Sequence, residues 1–131
     1  MRVDYLDPDG LIRNPAFTQA VMVEGPAKTV YVGGQNGIDA EGAVLDGIAA
    51  QTAQALANVD IAMRAAGGTL HDVVKWTIYV VQGQDLRAAL GAFQEAWGSH
   101  PHPPVITVAV VAALANPAFV VEIEAVGVLA P

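Results

Sequence analysis

Asp72-Val73-Val74-Lys75-Trp76-Thr77-Ile78-Tyr79-Val80-Val81, followed after four residues by Leu86-Arg87-Ala88-Ala89-Leu90-Gly91-Ala92-Phe93-Gln94-Glu95-Ala96-Trp97, is the stretch that decides the fold. Its first half is β-branched and aromatic, and a period of two puts Val74, Trp76, Ile78 and Val80 on one side and Lys75, Thr77 and Tyr79 on the other. Its second half changes period. From about Asp85 to Trp97, Leu86, Leu90, Phe93 and Trp97 share one helical face, and Gly98 with the prolines up to Pro104 ends the helix. A strand wet on one side that feeds an amphipathic helix calls for a helix-on-sheet layer.

Upstream, Ile48, Thr52, Ala55, Leu56, Val59, Ala62, Met63 and Ala66 recur at helical spacing, with Asp46 as the expected N-cap and Gly67-Gly68 as the stop. Before that helix, Ala20 to Glu24 and Lys28 to Gly33 are β-rich runs separated by Gly25-Pro26-Ala27, which predicts a hairpin. Downstream, two strands are expected, Val105 to Leu114 and Phe119 to Leu129, joined by a turn at Asn116-Pro117. The first carries one weakly polar side chain in ten, so it is expected to be covered on both faces. The order ββαβαββ is an α+β architecture in one domain spanning 1–131: two helices on one face of a mainly antiparallel sheet. The other sheet face needs a cover, and oligomerisation is the economical one.

Composition restricts function. The chain of 131 residues is 53% hydrophobic and 15% charged, enough apolar material for one core with surplus for subunit contacts. Thirteen acidic against six basic residues give a net charge of -7, and Arg2, Arg13, Lys28, Arg64, Lys75 and Arg87 form no basic run, which disfavours nucleic acid as a partner. There is no cysteine, hence no disulfide, thiolate nucleophile or zinc-thiolate site. Met1 to Pro8 is broken by acids and proline where a secretion signal needs an apolar core, and the Val105 run is about half a membrane span, so a cytoplasmic protein without membrane contact is expected.

At Gly33-Gly34-Gln35-Asn36-Gly37-Ile38 a strand runs into a corner poor in side chains. Either a turn or bulge needs the glycines, or something approaches the main chain closely there.

Taken in order, Gln19-Ala20-Val21, Val32-Gly33-Gly34-Gln35, Gln51 with Leu56-Ala57-Asn58-Val59, Ala66-Gly67-Gly68, Asp72-Val73-Val74-Lys75 and Val121-Glu122-Ile123-Glu124-Ala125 resemble the reactive intermediate deaminase (RidA/YjgF) family over nearly the whole chain. The resemblance implies a chorismate-mutase-like fold, a homotrimer with ligand clefts at the subunit interfaces, no cofactor, and hydrolysis of enamines and imines such as 2-aminoacrylate. It also implies the cleft. Glu122 matches the glutamate that positions water or shuttles a proton, and the main chain at Gly34, with Gln35 beside it, orients the substrate. Here the chain departs from the pattern. Ile106 stands where active members carry the arginine that grips the substrate carboxylate, Phe17 replaces a tyrosine, Gly33 a serine and Leu90 an asparagine, with Val108 beyond Ile106 on the same strand. A charge-assisted hydrogen bond contributes roughly 1.5 to 3 kcal/mol, so its loss weakens carboxylate binding by about ten- to a hundredfold.

Three classes of function follow: an imine or enamine hydrolase using Glu122, a trimer that binds a small neutral metabolite without turnover, and a nuclease or translation inhibitor, which the charge opposes. Plainer readings stand beside these. Glu122 and Glu124 share one strand face and could simply line a solvated surface or a trimer axis. His71 reads as a loop residue, His100 and His102 as part of an exposed linker without a completed metal site, and Trp76, Tyr79, Phe93 and Trp97 as core or interface.

Overall fold

The computed structural model describes all 131 residues. Strands β1 (Arg2–Leu6), β2 (Ala20–Glu24) and β3 (Lys28–Asn36) precede helix α1 (Ile48–Ala65). A 3₁₀ turn at Leu70–Asp72, strand β4 (Val73–Val81), helix α2 (Leu86–Trp97) and strands β5 (Val105–Val111) and β6 (Val121–Leu129) complete the chain. The main sheet runs β3-β6-β4-β5, antiparallel at its first two junctions and parallel at the last. This is the expected α+β layer, preceded by one strand the sequence reading lacked.

That strand corrects the hairpin expectation. β2 pairs with β1, in register Arg2↔Glu24 to Leu6↔Ala20, and β3 pairs with β6; β2 and β3 share no ladder. Gly25, at φ +85, turns the chain out of one two-stranded ribbon and into the main sheet. Met1 to Pro8, short and interrupted by acids, carried too little period-two signal to stand out as a strand.

The core lies between the sheet and the helices. Val73, Trp76, Ile78 and Val80 of β4 and Val121, Ile123 and Ala125 of β6 face Ala55, Leu56, Val59 and Met63 of α1 and Ala89, Phe93 and Trp97 of α2, all buried; Val74, expected among them, is buried but lies at a register irregularity between Val73 and Lys75 and outside this cluster. Trp76 is the hub, edge-on to Phe93 at 5.2 Å and to Trp97 at 6.1 Å. Lys75, Thr77 and Tyr79 stay on the uncovered face, as the alternation predicts. No helix is long and apolar enough to cross a membrane.

The helix ends show why these segments stop where they do. After α1, Gly67 at φ +92 donates to the Arg64 carbonyl and Gly68 to that of Met63, a paired closure that satisfies two orphan carbonyls. At its start the cap is Gly47, at φ +90, and not Asp46, because Leu45 is held back by the Gln51 side chain and the chain enters the helix through a left-handed residue. In α2, Asp85 is the cap, accepting from Ala88 N–H at 3.2 Å, but Leu86 and Leu90, expected on the buried face, are exposed and that face is Ala89, Phe93 and Trp97.

β5 ends at Val111, short of Leu114, and forms the sheet edge. The expectation of cover on both faces is not met within one chain: Val110 is 62% exposed and Val108 39%. The helices lie over β3, β6 and β4 and leave the outer strand uncovered.

Candidate functional site

β3 does not end at the glycines. It runs through to Asn36, and Val32 opposite Ala125 followed by Gln35 opposite Ile123 leaves Gly33 and Gly34 bulged against Glu124. Neither glycine has a positive φ. The two serve different ends. A Cβ on Gly33 would meet nothing within 4 Å, whereas one on Gly34 would lie 2.7 to 3.0 Å from Cδ, Cγ and Oε2 of Glu122. Gly34 therefore clears the space that the Glu122 carboxylate occupies.

That carboxylate is held from the other side by Asn36, whose Nδ2 donates to Glu122 Oε1 at 3.3 Å and to the Val121 carbonyl at 3.0 Å. Asn58 of α1 in turn donates to the carbonyls of Asn36 and Ile38 and accepts from Gln54. Two turns earlier in α1, buried Gln51 donates to the carbonyls of Leu45 and Ala118 and accepts from Val120 N–H. Two amide side chains on the buried side of one helix thus fix both strands that carry the glycine bulge and Glu122. Sequence reading quoted Gln51 and Asn58 as part of a pattern without a role. The available signal was polarity: amides inside an otherwise apolar stripe must be paired.

Glu122 shares the uncovered face with Glu124, Thr77, Lys75, Tyr79 and Tyr31, because Tyr79 pairs with Glu122, Thr77 with Glu124 and Lys75 with Val126. Tyr31, Gly33, Lys75, Thr77, Glu124 and Val126 border a shallow depression of about 270 Å³ there.

Ile106 lies on the opposite face. Its register partner is Trp76, so it points to the helix side, half-buried and packed against the edge of the core. With Leu90, Phe93 and Trp97 of α2, Pro103, Pro104, Pro15 and Ala16, it lines a pocket of about 300 Å³ whose polar side chains are Gln94 and His100. No lysine or arginine borders it. The wall from the N-terminal loop is tied down by buried Thr18, whose N–H donates to the Pro104 carbonyl at 3.1 Å and whose hydroxyl donates to that of Pro103. Phe17 is half-buried beside this wall and Val108 is exposed one residue pair along β5; neither lines the pocket.

The residues singled out from sequence therefore fall into two groups on one chain. Ile106 and Leu90 meet in the apolar pocket, with Phe17 adjacent. Gly34 and Glu122 meet at the bulge, where Gln35 is turned back on the Gly33 carbonyl at 3.1 Å. The sheet separates the groups.

The histidines are better placed than a bare linker implies. His71 lies in the 3₁₀ turn, its Nε2 2.6 Å from the Trp97 carbonyl and its ring edge-on to Trp97. The His100 ring packs 5.2 Å from Trp97 and 4.9 Å from His71, and His102 stacks on Tyr5 of β1 at 4.9 Å. Burial, with the nearby charge of Asp72 as a smaller contribution, raises the Tyr5 phenol above its usual range.

The family described as Endoribonuclease L-PSP matches residues 12–129. The chain is 32% identical over 117 residues to the human 2-iminobutanoate/2-iminopropanoate deaminase, covering 88% of this chain and 81% of that protein. Among solved structures, a Yersinia pestis protein of unknown function from the conserved Rid family (YyfB) superposes with a TM-score of 0.83 at 30% identity, covering 98% of this chain and all of the other. RidA from an Antarctic Psychrobacter gives 0.72 at 32% identity, covering 95% and 98%.

Proposed function

Because the chain belongs to the Endoribonuclease L-PSP family, which includes the RidA/YjgF proteins, we propose that it works as a homotrimer binding a small, largely uncharged metabolite in clefts between subunits. The observation that carries this reading is the composition of the Ile106 pocket: aliphatic and aromatic walls, the polar side chains of Gln94 and His100, and no guanidinium. A carboxylate entering it would give up hydration without a charged partner in return, whereas an uncharged body gains from leaving water. The trimer follows from the bare sheet face. Tyr31 is 80% exposed there beside Val126, Thr77 and Tyr79, and in three copies this face is covered by its own equivalents. Assembly is also how the two separated groups could come together, the pocket of one copy opening toward the Glu122 of another.

A second reading has its own support. Gly34 and Asn36 leave Glu122 lodged in a cleared and hydrogen-bonded place, which suits a carboxylate that positions water for hydrolysis of an imine or enamine. The acidic surface without a basic track argues against RNA as substrate.

The test is ammonia release from 2-aminoacrylate generated in place. Binding without turnover predicts no acceleration over water by the native protein and a gain of activity in Ile106→Arg. Acceleration that disappears in Glu122→Ala would establish the hydrolase reading instead. Native mass spectrometry checks the assembly, and monomer alone at micromolar concentration would overturn it.

A further inference from the structure

We infer that His100 is the polar anchor of the Ile106 pocket and sets its ligand class, an apolar body carrying an N–H or O–H donor. The inference rests on the reading of that pocket as a ligand site and adds what kind of group the ligand must present. The His100 ring is fixed on several sides. Trp97 and His71 pack against it with tilted rings at 5.2 and 4.9 Å, and Pro101 and Pro103 stiffen the segment around it. Its Nδ1 lies 2.8 Å from the carbonyl oxygen of His102 and 3.2 Å from the N–H of the same residue.

These two contacts make opposite demands on the ring. A bare lone pair facing a carbonyl oxygen at 2.8 Å is repulsive, so the closer contact selects the form with the proton on Nδ1, donated to His102. In the neutral ring that leaves Nε2 with a lone pair, and no group of the chain engages it. The other polar side chain on the pocket, Gln94, is an exposed residue of α2 and is not held in this way. A pre-set acceptor on an apolar wall favours a ligand that donates to it, since an acceptor-only ligand would lose water at Nε2 and offer nothing in exchange. The titratable groups around the ring are His71 from the 3₁₀ turn and His102 from its own loop, with Tyr5 and Asp72 behind them.

The experiment uses two probes of equal shape, benzamide and acetophenone, which differ by an NH₂ in place of a CH₃. Each is titrated into the protein at pH 8.5, where imidazole is neutral, and the methyl resonances of Ile106 and Leu90 are followed by NMR. Comparing the benzamide-to-acetophenone affinity ratio in native protein with that in His100→Phe cancels the different hydration of the two probes. We expect the ratio to fall about two- to tenfold in the variant, the worth of one neutral hydrogen bond. His100→Gln, whose amide oxygen can accept, should recover part of it. If the methyls shift with both probes and the ratio is unchanged in His100→Phe, His100 is no anchor while the pocket stands as a binding site. If neither probe moves the Ile106 and Leu90 methyls, the pocket reading itself fails and this inference falls with it.

Discussion

The two faces of the main sheet carry alternate residues of the same strands and have opposite fates. On one, every position of β4 and β6 from Trp76 to Val80 and from Val121 to Ala125 is buried under α1 and α2; on the other, the same strands present Lys75, Thr77, Tyr79, Glu122 and Glu124, with Tyr31 80% exposed beside them. A covered face explains its residues by packing alone. A bare face holding aromatic rings, valine and two carboxylates has no such account within one chain, and this is what points to other copies.

The largest expected effect tests that contrast. Leu56, 2% exposed at the centre of the covered face, should cost about 2 to 5 kcal/mol as Leu56→Ala, the cavity being walled by rigid elements. Urea unfolding should show the same loss at every protein concentration. Tyr31→Ala removes a ring that touches little in a single chain, so its loss should be largest at high protein concentration and shrink on dilution, as expected of a side chain buried only between copies. A concentration-independent loss for Tyr31→Ala, equal to that of Leu56→Ala, would break the distinction between the faces.

Next in size is Gln51→Ala. Gln51 holds the carbonyls of Leu45 and Ala118 and the N–H of Val120, and its removal leaves buried backbone groups unpaired, at about 2 to 3 kcal/mol. The residue belongs to the covered face, yet its effect should reach the bare one, because it braces the entry to β6 and hence Glu122. Broadened or shifted Glu122 side-chain resonances in this variant would show that coupling; unchanged ones would mean the faces are independent.

This contrast also separates what the sequence made legible from what it did not. The layers, both helices and the sides taken by β4 could be read, because a period of two and a period of 3.6 are local properties of the chain. Partners could not. That β2 pairs with β1, and that Ile106 sits across the sheet from Glu122, depend on which strands meet and in what register, and a shift of one residue exchanges the faces. The helix-covered side of α2 was misjudged at Leu86 and Leu90 for a related reason: periodicity shows which residues share a face, not how far the sheet beneath extends. Of the site, the glycine corner was visible from the residues themselves and Glu122 by resemblance. Of their supports, Asn58 was flagged only by its polarity within an apolar stripe, and the partners that it and Asn36 take, backbone carbonyls and the Glu122 carboxylate, are set by how the strands meet, which no pattern of residue types displays.

A smaller effect is expected from Gly34→Ala. The added methyl falls on the far part of the Glu122 side chain, which can swing aside, so stability should drop by no more than about 1 kcal/mol, the low end of overpacking costs. The displaced carboxylate should lose its contact with Asn36, visible as a changed Asn36 amide resonance. A loss of 3 kcal/mol or more would make Gly34 a structural requirement of the bulge and remove the steric argument for a prepared carboxylate.

The smallest effect lies outside both faces, in the β1–β2 ribbon, and shows only in alkali. Tyr5 stacks on His102, and burial, assisted by the charge of Asp72, raises its phenol above the ordinary value of 10.0. The folded protein therefore keeps this proton at a pH where the unfolded chain has released it. With more protons bound to the native state, stability falls as pH rises beyond about 10, while below that value both states are protonated and Tyr5 contributes no slope. Tyr5→Phe keeps the ring against His102 and removes the titration, so the variant and the native protein should have the same urea midpoint at pH 8 and diverge above pH 10, the native protein falling faster. Tyr31 and Tyr79 are present in both proteins and cancel from the difference. Parallel curves through pH 11 would mean that Tyr5 sheds its proton as easily folded as unfolded, and that the ribbon does not bury it.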